Sequence, residues 1–221
     1  MRRFLLITDS RLPEKEIMSN NGFLTQQLFS VDSKPYGLQY AEWTVRWWRW
    51  VLSIPKDRNP LIDSTGEHCA EGQRQSGPVW FLAGTTGNIY RAERKCIIPT
   101  GKAILFPILV SQFSYAEVPS IKSNEELIAT TAKDIDNWSL LEVIIDGLKL
   151  NGLQKYRVKF GPFDLSLPEN NVWDITAGPT KAVSNGFWAF LKPLKDGSHT
   201  ISFHGIEPHF ATKVRYDITI K

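Results

Sequence analysis

Between Lys213 and Ile220 every second residue is apolar: Val214, Tyr216, Ile218 and Ile220 alternate with Lys213, Arg215, Asp217 and Thr219. Successive side chains of a strand point to opposite faces, so this stretch buries its apolar set only as a strand with one face on a core. Such a strand needs neighbours for its backbone hydrogen bonds and a second layer over its apolar face. Pro78–Gly84, Ile89–Ile98, Ala103–Phe113, Trp138–Ile145, Lys155–Phe160, Phe163–Leu167, Gly186–Lys192 and Ser198–His204 read as further strands, about nine in all. Asp146-Gly147 and Asp196-Gly197 are turn signals between them. Pro107 lies inside a long apolar run. It has no N–H for a ladder, so it argues for a bulge or an edge at that point. The expected fold class is mainly β, a β-sandwich or jelly-roll-like fold with two added helices, about 41–53 and 124–137.

The first of these helices is unusual. Trp43, Trp47 and Trp50 recur at i, i+4 and i+7 and share one helical face, which Tyr40, Val51 and Leu52 widen. Glu42, Arg46 and Arg49 form another face, and Pro55 ends the helix. The second helix opens on Ser123-Asn124-Glu125-Glu126, a capping box, and shows an apolar face of Leu127, Ile128, Thr131 and Ile135. Residues 1–35 are polar and lack sustained periodicity, which predicts a poorly ordered N-terminal arm in which the short stretch Phe23–Phe29 can dock as one turn or a strand. Residues 36–221 then read as a single β-rich globular domain, in preference to a division near residue 138.

Composition narrows the function classes. Hydrophobic residues are 42% and charged residues 22%, the balance of an ordinary globular protein. The net charge of +3 is small and its carriers are scattered, which excludes a nucleic-acid partner as the expectation. No apolar run approaches the roughly 18 residues of a transmembrane segment. Met1-Arg2-Arg3-Phe4-Leu5-Leu6-Ile7 resembles the start of a signal peptide, but Thr8-Asp9-Ser10-Arg11 ends the apolar run too early. The expectation is therefore a soluble, cytoplasmic chain as written, and an exported one if the N-terminus is misassigned. Spacings for a metal, a phosphate cradle or a nucleophile elbow are absent, so no cofactor and no metal are expected. Cys69 and Cys96 leave two alternatives open: a disulfide in an oxidising compartment, or two buried thiols in a reducing one.

The candidate site residues come mainly from the Trp helix. Its Trp stripe has the pattern of a core face, with Trp48 on the flank. Stacking of a flat ligand on the Trp rings and settling at a membrane surface are the competing uses. Glu42, Arg46 and Arg49, with Trp48, are the candidate ligand-binding residues, because an Arg can hold a carboxylate through two parallel hydrogen bonds. Glu42 and Glu117 are the candidate catalytic carboxylates, Glu117 because it follows an apolar run and should lie at a sheet end. Asp63 and Glu67 are further acids near apolar segments.

The strings YAEWTVRWWRWVLSIP (Tyr40–Pro55), NPLIDSTGEHC (Asn59–Cys69), GPVWFLAGT (Gly77–Thr85), CIIPTGKAILFPIL (Cys96–Leu109) and GFWAFLKPLKDGSHTISFHG (Gly186–Gly205) resemble an uncharacterised family of prokaryotic proteins. Its signature is a YxEWxxRWWxW helix followed by a β-rich domain. The resemblance brings no activity, cofactor or site residue with it. Some members of that family are exported, which favours the Cys69–Cys96 disulfide. The leading expectation is a ligand-binding or interaction module, with a carbohydrate or another polar small molecule as its ligand. A hydrolase working through carboxylate acid/base chemistry and a structural protein that assembles into homo-oligomers are the alternatives.

Overall fold

The computed structural model describes residues 27–87 and 90–221. Among the described residues there are two α-helices, α1 (Tyr40–Ser53) and α2 (Asn124–Asp136). Nine strands are described: β1 (Val79–Phe81), β2 (Arg91–Ile98), β3 (Ala103–Ser114), β4 (Leu140–Ile145), β5 (Leu148–Lys149), β6 (Arg157–Leu167), β7 (Gly178–Leu191), β8 (Gly197–Glu207) and β9 (Phe210–Ile220). They form a four-stranded sheet in the order β1-β3-β7-β6 and a five-stranded sheet in the order β2-β9-β8-β4-β5. The β1–β3 and β2–β9 pairs are parallel, and the other pairs are antiparallel. The fold is mainly β, two packed sheets with two added helices, as the alternation predicts.

The boundaries differ in instructive ways. Two expected strands, Lys155–Phe160 and Phe163–Leu167, are one strand, β6, interrupted at Gly161-Pro162, where its pairing with β7 shifts register. β7 starts at Gly178, well before the apolar run at Gly186, because its early residues pair with β6 and stay partly exposed. Within the expected arm, residues 27–35 are described, and the end of the Phe23–Phe29 stretch docks on β7. Leu28 is buried and bridges Leu191, and the Phe29 N–H donates to the Phe190 carbonyl at 2.9 Å. The rest of the predicted arm, residues 1–26, lies outside the described residues.

The four-stranded sheet is covered on both faces. Ile104, Phe106, Phe187 and Ala189 face the five-stranded sheet, where they meet Val143, Ile201, Phe203 and Tyr216. Phe106 and Phe203 stack with ring centroids 5.0 Å apart. Leu105, Trp188 and Phe190 point the other way and pack under α1. All four tryptophans of α1 are buried, and each indole N–H has an acceptor. Trp43 donates to Pro35 O at 2.8 Å, Trp47 to Leu82 O at 2.9 Å, Trp48 to Ser184 Oγ at 2.8 Å and Trp50 to Glu71 O at 2.8 Å. Trp47 also meets Trp188 edge to face at 5.3 Å. The stripe is a core face, and its rings offer no exposed stacking platform.

A bulge in β3 positions the candidate site. Pro107 pairs with Trp188 and Leu109 with Phe187, so Ile108 is an extra residue. A one-residue insertion reverses which side chains face which side. Before it, Leu105 faces α1; after it, Val110, Gln112 and Ser114 do. At Gly186 the strands approach so closely that a Cβ would lie 2.5 Å from the Leu109 carbonyl oxygen. β1 accompanies β3 only as far as Leu105, after which no strand among the described residues lies beside that edge of β3.

The chain leaves that edge by crossing to the other sheet. Arg94, 2% exposed, holds the crossing: its Nη1 donates to Ala83 O at 2.7 Å, Gly84 O at 2.9 Å and Tyr216 Oη at 2.8 Å. Cys69 and Cys96 form a disulfide, with Cα atoms 5.9 Å apart, that ties the 59–77 loop to β2. Gly66 in that loop lies so close to β2 that a Cβ would sit 2.2 Å from the Lys95 carbonyl oxygen.

Two stability effects follow from this packing. The disulfide closes a loop with a sequence separation of 27. Replacing both cysteines by Ala is expected to cost about 3 kcal/mol in urea unfolding. Trp47→Ala removes a fully buried ring and strands the Leu82 carbonyl, so it is expected to cost about 3–5 kcal/mol by the same measurement.

Candidate functional site

A cavity of about 210 Å³ wraps the free edge of β3 beyond the end of β1. Seven segments build it, one of them the 59–77 loop through Leu61. α1 contributes Trp47 and Trp48; the crossing loop contributes Gly84-Thr85-Thr86-Gly87; β3 contributes Pro107–Gln112 and, after its end, Glu117. Asp134 and Ile135 come from α2, Trp173 from the β6–β7 connection, and Glu207, Phe210 and Thr212 from the β8–β9 hairpin. The lining is apolar over much of its extent, and its charged side chains are all acidic: Glu117, Asp134 and Glu207.

Each polar group has a local reason for its position. Gln112 and Ser114 face the cavity side because of the bulge, and both donate to Glu117 Oε2, Gln112 Nε2 at 2.8 Å and Ser114 Oγ at 2.7 Å. Burial pushes the Glu117 carboxyl above its ordinary value of 4.5, against the opposing effect of these donors. Asp134 accepts from Ser111 Oγ at 2.9 Å, and the Thr85 and Thr212 hydroxyls are 2.7 Å apart. Trp173 is presented by the buried Asn171, whose Oδ1 accepts from the Trp173 and Ile175 N–H groups, both at 3.2 Å.

The cavity also concentrates unmet hydrogen-bonding capacity. Among the described residues, Thr86 Oγ1, Gln112 Oε1 and Trp173 Nε1 are buried, lack a protein partner and belong to residues that line it. A buried polar atom without a partner costs about 1–3 kcal/mol. The three supply one acceptor, one donor and one hydroxyl that can do either.

The candidate residues fall into separate places. Glu117 is in the cavity. Trp48 lines the same cavity, on the opposite side of α1 from the arginines. Glu42 is not positioned for catalysis: its carboxylate accepts from the Gln39 N–H at 2.8 Å and completes the capping box of α1. Arg46 and Arg49 face a second depression, where Arg46 lies over the Trp43 ring at 5.0 Å. A hydrolase pairing of Glu117 with Arg46 therefore has no geometric basis.

Asp63 organises its own loop. Burial raises its pKa, but the N–H groups of His68, Thr65 and Gly66 and the Thr65 hydroxyl outweigh this and hold it below the usual range. Glu67 is exposed. Among the described residues no group of three His, Cys, Asp or Glu side chains is placed to hold a metal. No described helix is long and apolar enough to cross a membrane.

Thr86, Gln112, Asp134, Trp173 and Glu207 are absent from the sequence-based site. None belongs to a motif, and the one available signal was Pro107, which marks the bulge that turns Gln112 inward. The chain matches no protein-family model, no curated protein and no solved structure, so the resemblance carried by Tyr40–Pro55 and the later strings rests on those motifs alone.

Glu117 gives the site a pH signature. Its pKa is raised by folding, so its contribution to stability is fully present below the unfolded value and is lost as pH rises through the folded value. Glu117→Gln cannot ionise, and its amide oxygen can still accept from Gln112 and Ser114. The substitution is expected to raise Tm relative to the parent at pH 7 and to leave it unchanged near pH 4, as read by thermal unfolding across that range.

Proposed function

We propose that the chain is a binding protein for a small neutral or singly cationic molecule, carrying hydroxyl or amino groups, held in the cavity at the β3 edge. One observation carries this reading: three buried polar atoms without partners, Thr86 Oγ1, Gln112 Oε1 and Trp173 Nε1, belong to residues lining one cavity that also holds Glu117. These atoms are closed to solvent in this structure, so a ligand reaches them by a rotation of the three side chains and then recovers a cost the unliganded fold bears. The volume of about 210 Å³ suits a molecule of roughly one sugar ring. Hydroxyl groups both donate and accept, which matches the mixed demand of the three atoms. Three acidic residues, with no Lys or Arg among the described lining residues, disfavour an anion. Trp48 and Trp173 supply aromatic wall for the apolar faces of a ring.

A second reading, a hydrolase, has its own support. Burial raises the Glu117 carboxyl in the direction a general acid requires, and Asp134 and Glu207 line the same cavity as candidate second carboxylates. The two readings part at Glu117→Gln. A binding protein keeps affinity for hydroxyl-bearing ligands within about tenfold. A hydrolase retains binding and loses turnover of a chromogenic glycoside or ester.

The test is a thermal-shift and calorimetric panel of monosaccharides, amino sugars, polyols, small amines and small carboxylates. A true ligand at about 100 times its Kd adds about 2.7 kcal/mol of stability, or roughly 5–10 °C in Tm. Gln112→Leu, Thr86→Val and Trp173→Phe are each expected to weaken that ligand by about threefold to tenfold. Preferential binding of the carboxylates, or affinities unchanged in all three variants, removes the proposal.

A further inference from the structure

On the other side of α1 lies an open groove of about 530 Å³ with the opposite electrostatic character. One wall is α1, through Trp43, Arg46, Arg49 and Trp50; the other is the 72–79 segment, through Arg74 and Ser76; Phe81 lies at the base. Among the described residues, the charged side chains of its lining are three arginines and no acid. This is a concentration of positive charge that the scattered distribution along the chain does not suggest.

The arginines are exposed, and two of them are uncommitted. Among the described residues neither Arg46 nor Arg74 donates a side-chain hydrogen bond or forms an ion pair. Arg46 is held in place all the same, stacked over the Trp43 ring at 5.0 Å. Arg49 is fixed through its Nε, which donates to the Asp164 backbone carbonyl at 3.0 Å and leaves both terminal nitrogens available. The nearby Asp164 carboxylate is engaged by Lys181 Nζ at 2.8 Å. Glu42, one turn before Arg46, is occupied by the N-terminal cap of the helix.

Placed guanidinium groups beside apolar walls are the arrangement that binds oxyanions well. Each fork matches the two oxygens of a carboxylate or phosphate, and the low-dielectric walls strengthen the attraction. Trp50 and Phe81 supply such walls, their ring centroids 5.4 Å apart. The close packing of the 72–79 loop on α1 keeps the walls together: a Cβ at Gly72 would lie 3.2 Å from the Trp50 ring.

We propose that this groove is a second ligand site, for a small molecule carrying two or more anionic oxygen groups, held by Arg46, Arg49 and Arg74. Polycarboxylates and phosphate esters share that chemistry. The site is separate from the β3-edge cavity and does not depend on what that cavity binds.

Titration calorimetry with citrate and with pyrophosphate, against acetate as a singly charged control, tests this on the full chain. The two probes separate the carboxylate source from the phosphate source. Either one is expected to bind, acetate at least about tenfold more weakly, with affinity falling as salt is raised. Arg46→Gln and Arg74→Gln are each expected to weaken the probe by about tenfold or more. Arg46→Lys should lie between, since it keeps the charge and loses the fork. Tm in the absence of probe should be unchanged for Arg74→Gln and should fall by no more than about 4 °C for Arg46→Gln, which loses its contact with the Trp43 ring. Gln112→Leu should leave citrate and pyrophosphate affinity intact, which keeps this site distinguishable from the cavity. The inference is overturned if neither probe binds at low ionic strength, if acetate binds as well as citrate, or if the Arg46/Arg74 double variant binds like the parent.

Discussion

The seating of α1 on the four-stranded sheet is the interaction from which the rest of the molecule takes its shape. Trp47 is fully buried against Trp188 and reaches the Leu82 carbonyl, at the point where the chain leaves β1. Large rings bury much area at the cost of few rotatable bonds, so one helix can cover a whole sheet face. The helix therefore does more than close a core. Trp47 and Trp48 on one side form a wall of the acidic cavity, while Trp43 and Trp50 on the other form a wall of the basic groove.

The cavity exists because a local rule is broken at three neighbouring places. β1 stops after pairing three residues of β3, β3 carries an extra residue at Ile108, and the chain between Ala83 and Gly87 crosses to the opposite sheet. Each departure has a compensation nearby. Arg94 satisfies the carbonyls of the crossing, and the close approach at Gly186 accommodates the bulge. The polar atoms of Thr86, Gln112 and Trp173 at the cavity, and Arg94 Nη2 at the crossing, are left without a protein partner among the described residues. Unsatisfied groups gathered at one place are what a fold with a binding site is expected to show. The two depressions also differ in sign, acids at one and arginines at the other, so the molecule sorts ligands by charge across the width of one helix.

Much of the fold was legible because its signals are local. The alternation in Lys213–Ile220 and the Trp spacing in α1 need no tertiary information, and Ser123 caps α2 as its box predicts. Boundaries were read less well where pairing and periodicity part company. The first half of β7 is a strand because β6 lies beside it, although its residues are too polar to announce one. The Gly161-Pro162 pair reads as a break between strands and is instead an irregularity within one. Glu117, singled out by its place after an apolar run, lines the cavity. A carboxylate near a helix start has two uses, and that of Glu42 accepts from the Gln39 N–H in the cap.

The sequence alone determined the class of fold and the burial of the Trp stripe, since both follow from side-chain period and from the free energy of removing apolar surface from water. It also marked Pro107 as a disturbance in β3. Which residues share a cavity was decided only by tertiary structure. Thr86, Gln112, Glu117, Asp134, Trp173 and Glu207 come from five separate segments, and one inserted residue in β3 decides whether Gln112 faces the cavity at all. The same holds for Arg74, which joins Arg46 and Arg49 only because the 72–79 loop folds back on α1. A strand pattern records which faces are apolar, and it holds no record of where a partner strand ends.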